Sequence, residues 1–156
     1  MKKEIREVIG SHPFVRGFQT QHLDTLADLA QEARFDRDQI IFRQNDASSF
    51  FYLIVAGKVA LEVTALGRTV RVQTLSDGEA LGWSSLLPSA GKQFQARALG
   101  SVRALVFDGA RLREAADQDD SFGYALMRRL VEVVSARVQA IRMQMLDMYA
   151  TQPKEA

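Results

Sequence analysis

The segment LGWSSLLPSAGKQFQAR, Leu81 to Arg97, carries the residues of this chain best suited to holding an anion. Gly82 lets the backbone turn sharply and come close to a ligand. A short helix begun near Trp83–Ser85 presents free N–H groups, and such an end attracts negative charge. Ser84 and Ser85 add hydroxyl donors. Lys92, the only cation within the loop, can neutralise a phosphate-type anion from the far side. Trp83 has two readings, a platform for a flat ligand or a ring that fills the space. Lys92 likewise is either an anion contact or a plain loop cation.

Other chemistry has little support. The two histidines, His12 and His22, precede the strand-rich middle, where a metal-binding β-fold would need clustered His and Glu. His12 reads as a cap or turn residue and His22 as an exposed helix residue. No Gly-x-Ser-x-Gly elbow, Walker loop or Gly-x-Gly-x-x-Gly occurs. Neither a metal site nor an enzyme is expected. Asp117, Asp119 and Asp120 cluster before a long helical pattern, where the helix dipole favours them. Arg128 and Arg129 read as a wet helical edge.

The totals agree. A chain of 156 residues, 47% hydrophobic and 25% charged, has room for one packed domain. The net charge of +1 offers no strong global field for nucleic acid or an acidic membrane. The absence of cysteine rules out disulfides and thiolate sites and suits the cytoplasm. No apolar run is long enough for a signal peptide core or a membrane span.

The elements that must position the loop follow from hydrophobic period. Residues 2–9 form a short helix ended by Gly10 and Ser11–Pro13. Leu23, Leu26, Ala27, Ala30 and Ala33 recur at helical spacing and predict a helix over 20–33. The period then changes. QIIFRQND, FFYLIVAGKVALEVTAL, RTVRVQTL, FQARALG and VRALVFDG are strand-like and are separated by short turns. KVALEV and TVRVQTL alternate, which predicts one inward and one wet face. Turn positions Asp38 and Asn45 tolerate left-handed backbone. After Gly109 a short helix precedes a long one over about 122–149. The expected organisation is an N-terminal helical segment (1–33), a β-roll (34–108), C-terminal helices (109–149) and a polar tail (150–156).

The long helix carries an apolar stripe that includes Leu130, Val134, Val138, Ile141 and Met145. Such a helix outruns a small roll, so its excess apolar surface predicts a symmetric helix pair, hence a homodimer. The alternative is a helix folded back across the roll of a monomer.

Short helices, an eight-stranded roll and one long helix, in that order, resemble the cyclic nucleotide-binding domain of the catabolite activator protein family. HPFVRGFQTQHLDTLADLA, DQIIFRQNDASSFFYLIVAGKVAL and LSDGEALGWSSLLPSAGKQFQARA carry the resemblance, which covers about 12–149. It implies an α+β fold with a double-stranded β-helix, or jelly-roll. It also makes Leu81–Arg97 a phosphate-binding cassette, with Gly82, Trp83, Ser84, Ser85, Lys92, Gln93, Phe94 and Arg142 as the expected ligand contacts.

The cassette departs from the family pattern in two places. Trp83 stands where a ribose-binding glutamate is usual, and Lys92 where an arginine grips the cyclic phosphate. Gln93 and Phe94 replace smaller residues. Arg142 lies where the family contacts the base, and is either a stacking or anion contact or a solvated charge. The ligand expected is a cyclic nucleotide or another anion, with no other cofactor. The expected role is a sensor that signals through its long helix to an unidentified protein partner. The alternative is a dimeric interaction module whose pocket Trp83 fills. With seven residues after Tyr149, no recognition helix is expected, and no direct DNA binding.

Overall fold

The computed structural model describes residues 2–47, 49–87, 91–92 and 94–150. Among the described residues, eight antiparallel strands make two four-stranded sheets. The first contains β1 (Gln31–Phe35), β8 (Val102–Asp108), β3 (Phe50–Ala56) and β6 (Ala80–Leu81), in that order. The second contains β2 (Ile40–Phe42), β7 (Gln95–Ala98), β4 (Val59–Ala65) and β5 (Arg68–Leu75). Helices α1 (Lys2–Ser11) and α2 (Thr20–Leu29) precede the roll, and α3 (Gly109–Gln118) and α4 (Asp120–Ala150) follow it. This is the jelly-roll expected.

The continuous apolar run FFYLIV is explained by β3. Its neighbouring side chains point to opposite faces of the sheet, and both faces are covered. Phe51 and Leu53 join a core with Phe14, Leu26, Phe107, Phe122 and Leu126, beneath the helices. Tyr52 and Ile54 join a second core with Val59, Leu61, Leu75 and Leu81, inside the roll. A strand buried on both sides reads as unbroken hydrophobicity rather than alternation. In β4 the expected alternation fails at the start. Val59, Ala60 and Leu61 are all buried, and Arg97 and Thr74 lie directly opposite Ala60 on the flanking strands.

The helix expected over 20–33 ends at Leu29. Ala30 is already extended, and Gln31–Phe35 pairs residue by residue with β8. Ladder hydrogen bonds at a sheet edge outweigh the small helix preference of Ala30 and Ala33. Asp38 and Asn45 have φ of 68° and 71°, as their residue types allow. His12 caps the 3₁₀ turn Pro13–Val15, its Nδ1 accepting from Phe14 N–H, while its Nε2–H donates to Ile54 O at 2.8 Å. Burial holds its pKa below the usual histidine value.

Two expectations about the helices are corrected. His22 is buried, not exposed. Its ring lies edge-on to Phe18 and its Nε2 meets Ser121 Oγ at 3.1 Å. Arg129 is not a wet edge. Its Nε donates to Phe14 O at 2.7 Å and its Nη2 to Pro13 O at 3.1 Å, and it pairs with Glu132. The same 3₁₀ turn abuts the roll, since a Cβ on Gly78 would lie 2.9 Å from Pro13 Cγ. Asp119 Oδ1 caps α4 by accepting from Ser121 and Phe122 N–H, which accounts for that member of the acidic cluster.

Leu66 joins β4 to β5 in left-handed backbone, φ 54°, with its side chain fully exposed. A leucine there loses stability and gains no packing. Leu66→Asn is expected to raise unfolding stability by about 1 kcal/mol, read from the urea midpoint. An unchanged midpoint would show that the hairpin is not held in this conformation.

Candidate functional site

The loop after β6 is built around a position that admits no side chain. Gly82 has φ 79°, and a Cβ there would lie 2.5 Å from Phe50 O, 2.9 Å from Lys92 Nζ and 3.2 Å from Tyr52 Cδ2. Left-handed backbone and crowding therefore both require glycine. The expected short helix is a single 3₁₀ turn, Trp83–Leu86. Ser84 and Ser85 are buried. Ser85 Oγ donates to Gly82 O at 2.8 Å, so its hydroxyl closes the turn instead of facing a ligand, contrary to expectation. The turn presses on α3, since a Cβ on Gly109 would lie 2.5 Å from Ser85 O.

Lys92 is not a solvated loop cation. It is 4% exposed, with Nζ donating to Phe50 O at 3.0 Å and lying 4.4 Å from the Phe42 ring centroid. Its backbone is fixed to the 43–46 turn by Lys92 N–H to Asp46 O, 3.0 Å, and Asn45 N–H to Lys92 O, 2.9 Å. Burial pushes the ammonium pKa down to about 8, against the opposing pull of Asp46. The charge is thus held by a carbonyl and a ring face.

A second cation reaches the same place from α4. Phe122, Leu126 and Leu130 put one face of that helix into the core, and the next buried residue on that face is Arg137. Arg137 is 6% exposed. Its Nη2 donates to Ala80 O at 3.2 Å, while its Nε has no partner. Burial holds its pKa below the usual arginine value, with Glu79 pulling the other way. Lys92, Arg137, Gly82, Trp83, Ser84, Phe42, Leu61, Leu81 and Phe94 enclose a cavity of about 20 Å³. That is room for about one water. Trp83 walls the cavity together with Lys92, Arg137, Phe42 and Phe94, and is half-buried against the helix-side core.

Of the expected contacts, Gly82, Trp83, Ser84, Lys92 and Phe94 line this cavity. Gln93 lies outside the described residues. Arg142 is exposed and takes no part in it. It stands five residues beyond Arg137, about 140° around the helix. Leu130, expected on a helix-pair face, is instead 5% exposed in the chain's own core, in phase with Leu126. Val134 and Ile141 are half-buried, and Val138 and Met145 are 59% and 62% exposed. On its roll side α4 is tied by Arg137 to Ala80 O and by Gln144 Nε2 to Arg71 O, 3.3 Å.

Comparison with known proteins settles the family. Residues 32–119, more than half the chain, match the model of the cyclic nucleotide-binding domain. The chain belongs to the cyclic nucleotide-binding domain family. This member is 26% identical over 106 residues to the cAMP-dependent protein kinase type II regulatory subunit of Drosophila melanogaster, covering 68% of this chain and 28% of that one. It spans little more than a quarter of the curated relatives it matches. A cyclic nucleotide-binding domain structure from Methylobacillus flagellatus superposes with TM-score 0.83 at 16% identity, over 99% of this chain and 88% of that one. The catabolite activator protein of Thermus thermophilus gives 0.71 at 22%, over 88% and 63%. These two likenesses concern the fold. Among the described residues, no helix of this cyclic nucleotide-binding domain is long and apolar enough to cross a membrane.

The depressed Lys92 pKa makes a prediction about stability. Between pH 8 and its unfolded pKa the unfolded chain binds the Lys92 proton more tightly than the folded one does. Stability therefore rises with pH across that interval. Lys92→Met is expected to remove this rise, so that the difference in unfolding free energy between the two proteins shifts in favour of the parent chain from pH 8 to about 9.5. Parallel profiles would show that the ammonium is not desolvated.

Proposed function

We propose that this domain is the ligand-reading part of a regulator, with an anionic ligand of the cyclic nucleotide class bound between the 82–92 loop and α4. One observation carries the reading. Lys92 from the loop and Arg137 from α4 are both buried and both face the same gap. Two desolvated cations on one gap are each unfavourable, and an anion bound there relieves both. The role is regulatory, not catalytic, and the proposed setting is the cytoplasm, which a chain without cysteine suits.

A 20 Å³ gap cannot admit a nucleotide, so binding must accompany movement of α4 away from the loop. The packing supplies a route. The Trp83–Leu86 turn bears on Gly109 at the start of α3, and α3 bears on α4, where a Cβ on Gly123 would lie 2.8 Å from Ala116 O. A partner protein would read the new position of α4. The proposed assembly is a homodimer. The outer face of α4 exposes Val131, Val138, Met145 and Met148, and a second copy would cover it.

Trp83 is the only tryptophan and walls the gap, so its fluorescence reports on the site. Titration with cyclic AMP, cyclic GMP and inorganic phosphate is expected to give saturable change for at least one cyclic nucleotide. Lys92→Ala and Arg137→Met should each weaken it at least tenfold, as loss of a charged contact does. The competing reading, a permanently closed interaction module, is favoured by the small gap. It predicts no response to any of the three compounds.

The dimer is tested separately. Val138→Glu places a charge on the exposed face, and sedimentation should show monomer for the variant and dimer for the parent chain. One species of the same mass for both would exclude this face as the interface.

A further inference from the structure

A groove of about 550 Å³ lies between the 16–19 turn and residues 121–132 of α4. It shares no lining residue with the gap beside Lys92. Its charge is one-sided. Three arginines line it, Arg16, Arg128 and Arg129, against a single acid, Glu132. Arg129 and Glu132 pair with each other, and Arg129 also donates to Phe14 O and Pro13 O. Arg16 and Arg128 remain. Both are exposed, and among the described residues neither is in an ion pair. The acids of α2 do not serve them, since Asp24 and Asp28 are taken by Arg6 and Lys2 of α1. The two free arginines come from different walls, Arg16 from the turn and Arg128 from α4. The walls are joined by Arg129 and by buried His22, whose Nε2 meets Ser121 Oγ at 3.1 Å.

We infer that this groove docks an acidic peptide segment of a partner protein, whose carboxylates meet Arg16 and Arg128. Charge complementarity selects the sign of the occupant. The rim selects its size. Arg16, Gln19, Tyr124 and Arg128 are all exposed, Tyr124 at 70%. Small-ligand pockets bury most of their ligand behind apolar walls. Here the groups that would hold a ligand stand at the surface, so the occupant must bring contact area from outside the groove, as a segment of a larger protein does. Tyrosine and arginine are also the residue types that carry most of the binding energy at protein interfaces. A homodimer through α4 leaves the groove open. Arg128 and Glu132 lie about 60° and 100° around the helix from Val131, in the same sense, and Arg16 is off the helix altogether. The inference names by chemistry the partner of the proposed regulator, yet it depends on no ligand at the 82–92 loop.

Fluorescence anisotropy with three labelled peptides of equal length tests this. One is rich in Asp and Glu with interspersed leucines, and in the others Asn and Gln, or Lys, replace the acids. The acidic peptide is expected to bind the full chain about tenfold or more tightly than either counterpart at low salt, and to weaken as salt rises. Arg16→Glu combined with Arg128→Glu should reduce its affinity about tenfold. Arg68→Glu combined with Arg71→Glu makes the same change of net charge at exposed positions of β5, and should leave the affinity within about twofold of the parent. All four positions are exposed, and both variants are first checked for a parental melting temperature. Equal affinity for the three peptides overturns the inference. So does an equal loss in the two variants, which would reduce the effect to overall charge. Inorganic phosphate or phosphatidylserine vesicles that bind through Arg16 and Arg128, with no binding of the acidic peptide, overturn it in favour of a small anion or a membrane. None of these outcomes bears on the 82–92 loop, whose ligand is read separately from Trp83.

Discussion

One strand has to satisfy two hydrophobic cores at once. β3 sends Phe51 and Leu53 toward the helices and Tyr52 and Ile54 into the roll. Its register against β8 therefore fixes both sides together, because a slip of one residue would exchange the two sets. The site inherits this constraint. Phe50 O, at the head of β3, receives the Lys92 ammonium and abuts Gly82. The carbonyl that positions the loop cation thus belongs to a strand whose register two cores specify.

The electrostatics of the site follow from geometry rather than from composition. The chain is nearly neutral overall, yet Lys92 and Arg137 are both withdrawn from water beside one gap. Burying a charge is unfavourable unless something compensates it, and here carbonyl oxygens do so in part. Each cation is tied to main chain of the first sheet, Lys92 to Phe50 O of β3 and Arg137 to Ala80 O of β6. Sheet, loop and helix are thereby joined by two hydrogen bonds.

Much of the architecture was legible in the residue pattern. The shift from a period near 3.6 to strand-like segments and back located the roll, and Asp38 and Asn45 marked left-handed turns. The end of α2 was not legible, because Ala30 and Ala33 continue the helical phase and only the distant β8 makes them extended. The burial of Lys92 was equally hidden, since nothing adjacent to it reveals the Phe42 and Tyr52 rings that face its ammonium. Arg137 did leave a signal. It stands seven residues after Leu130 and eleven after Leu126, in phase with the core stripe, and a charge in that phase marks a buried polar contact. His22, four residues before Leu26, left the same signal.

The Pro13–Val15 turn is gripped from two directions. Arg129 of α4 holds the carbonyls of Pro13 and Phe14, while Gly78 and Ile54 of the roll meet Pro13 and His12. The beginning and the end of the fold are therefore riveted at one joint. A tilt of α4 about the roll would drag the N-terminal helices with it, so whatever is attached to α1 would sense the helix's excursion as directly as anything bound along α4 itself.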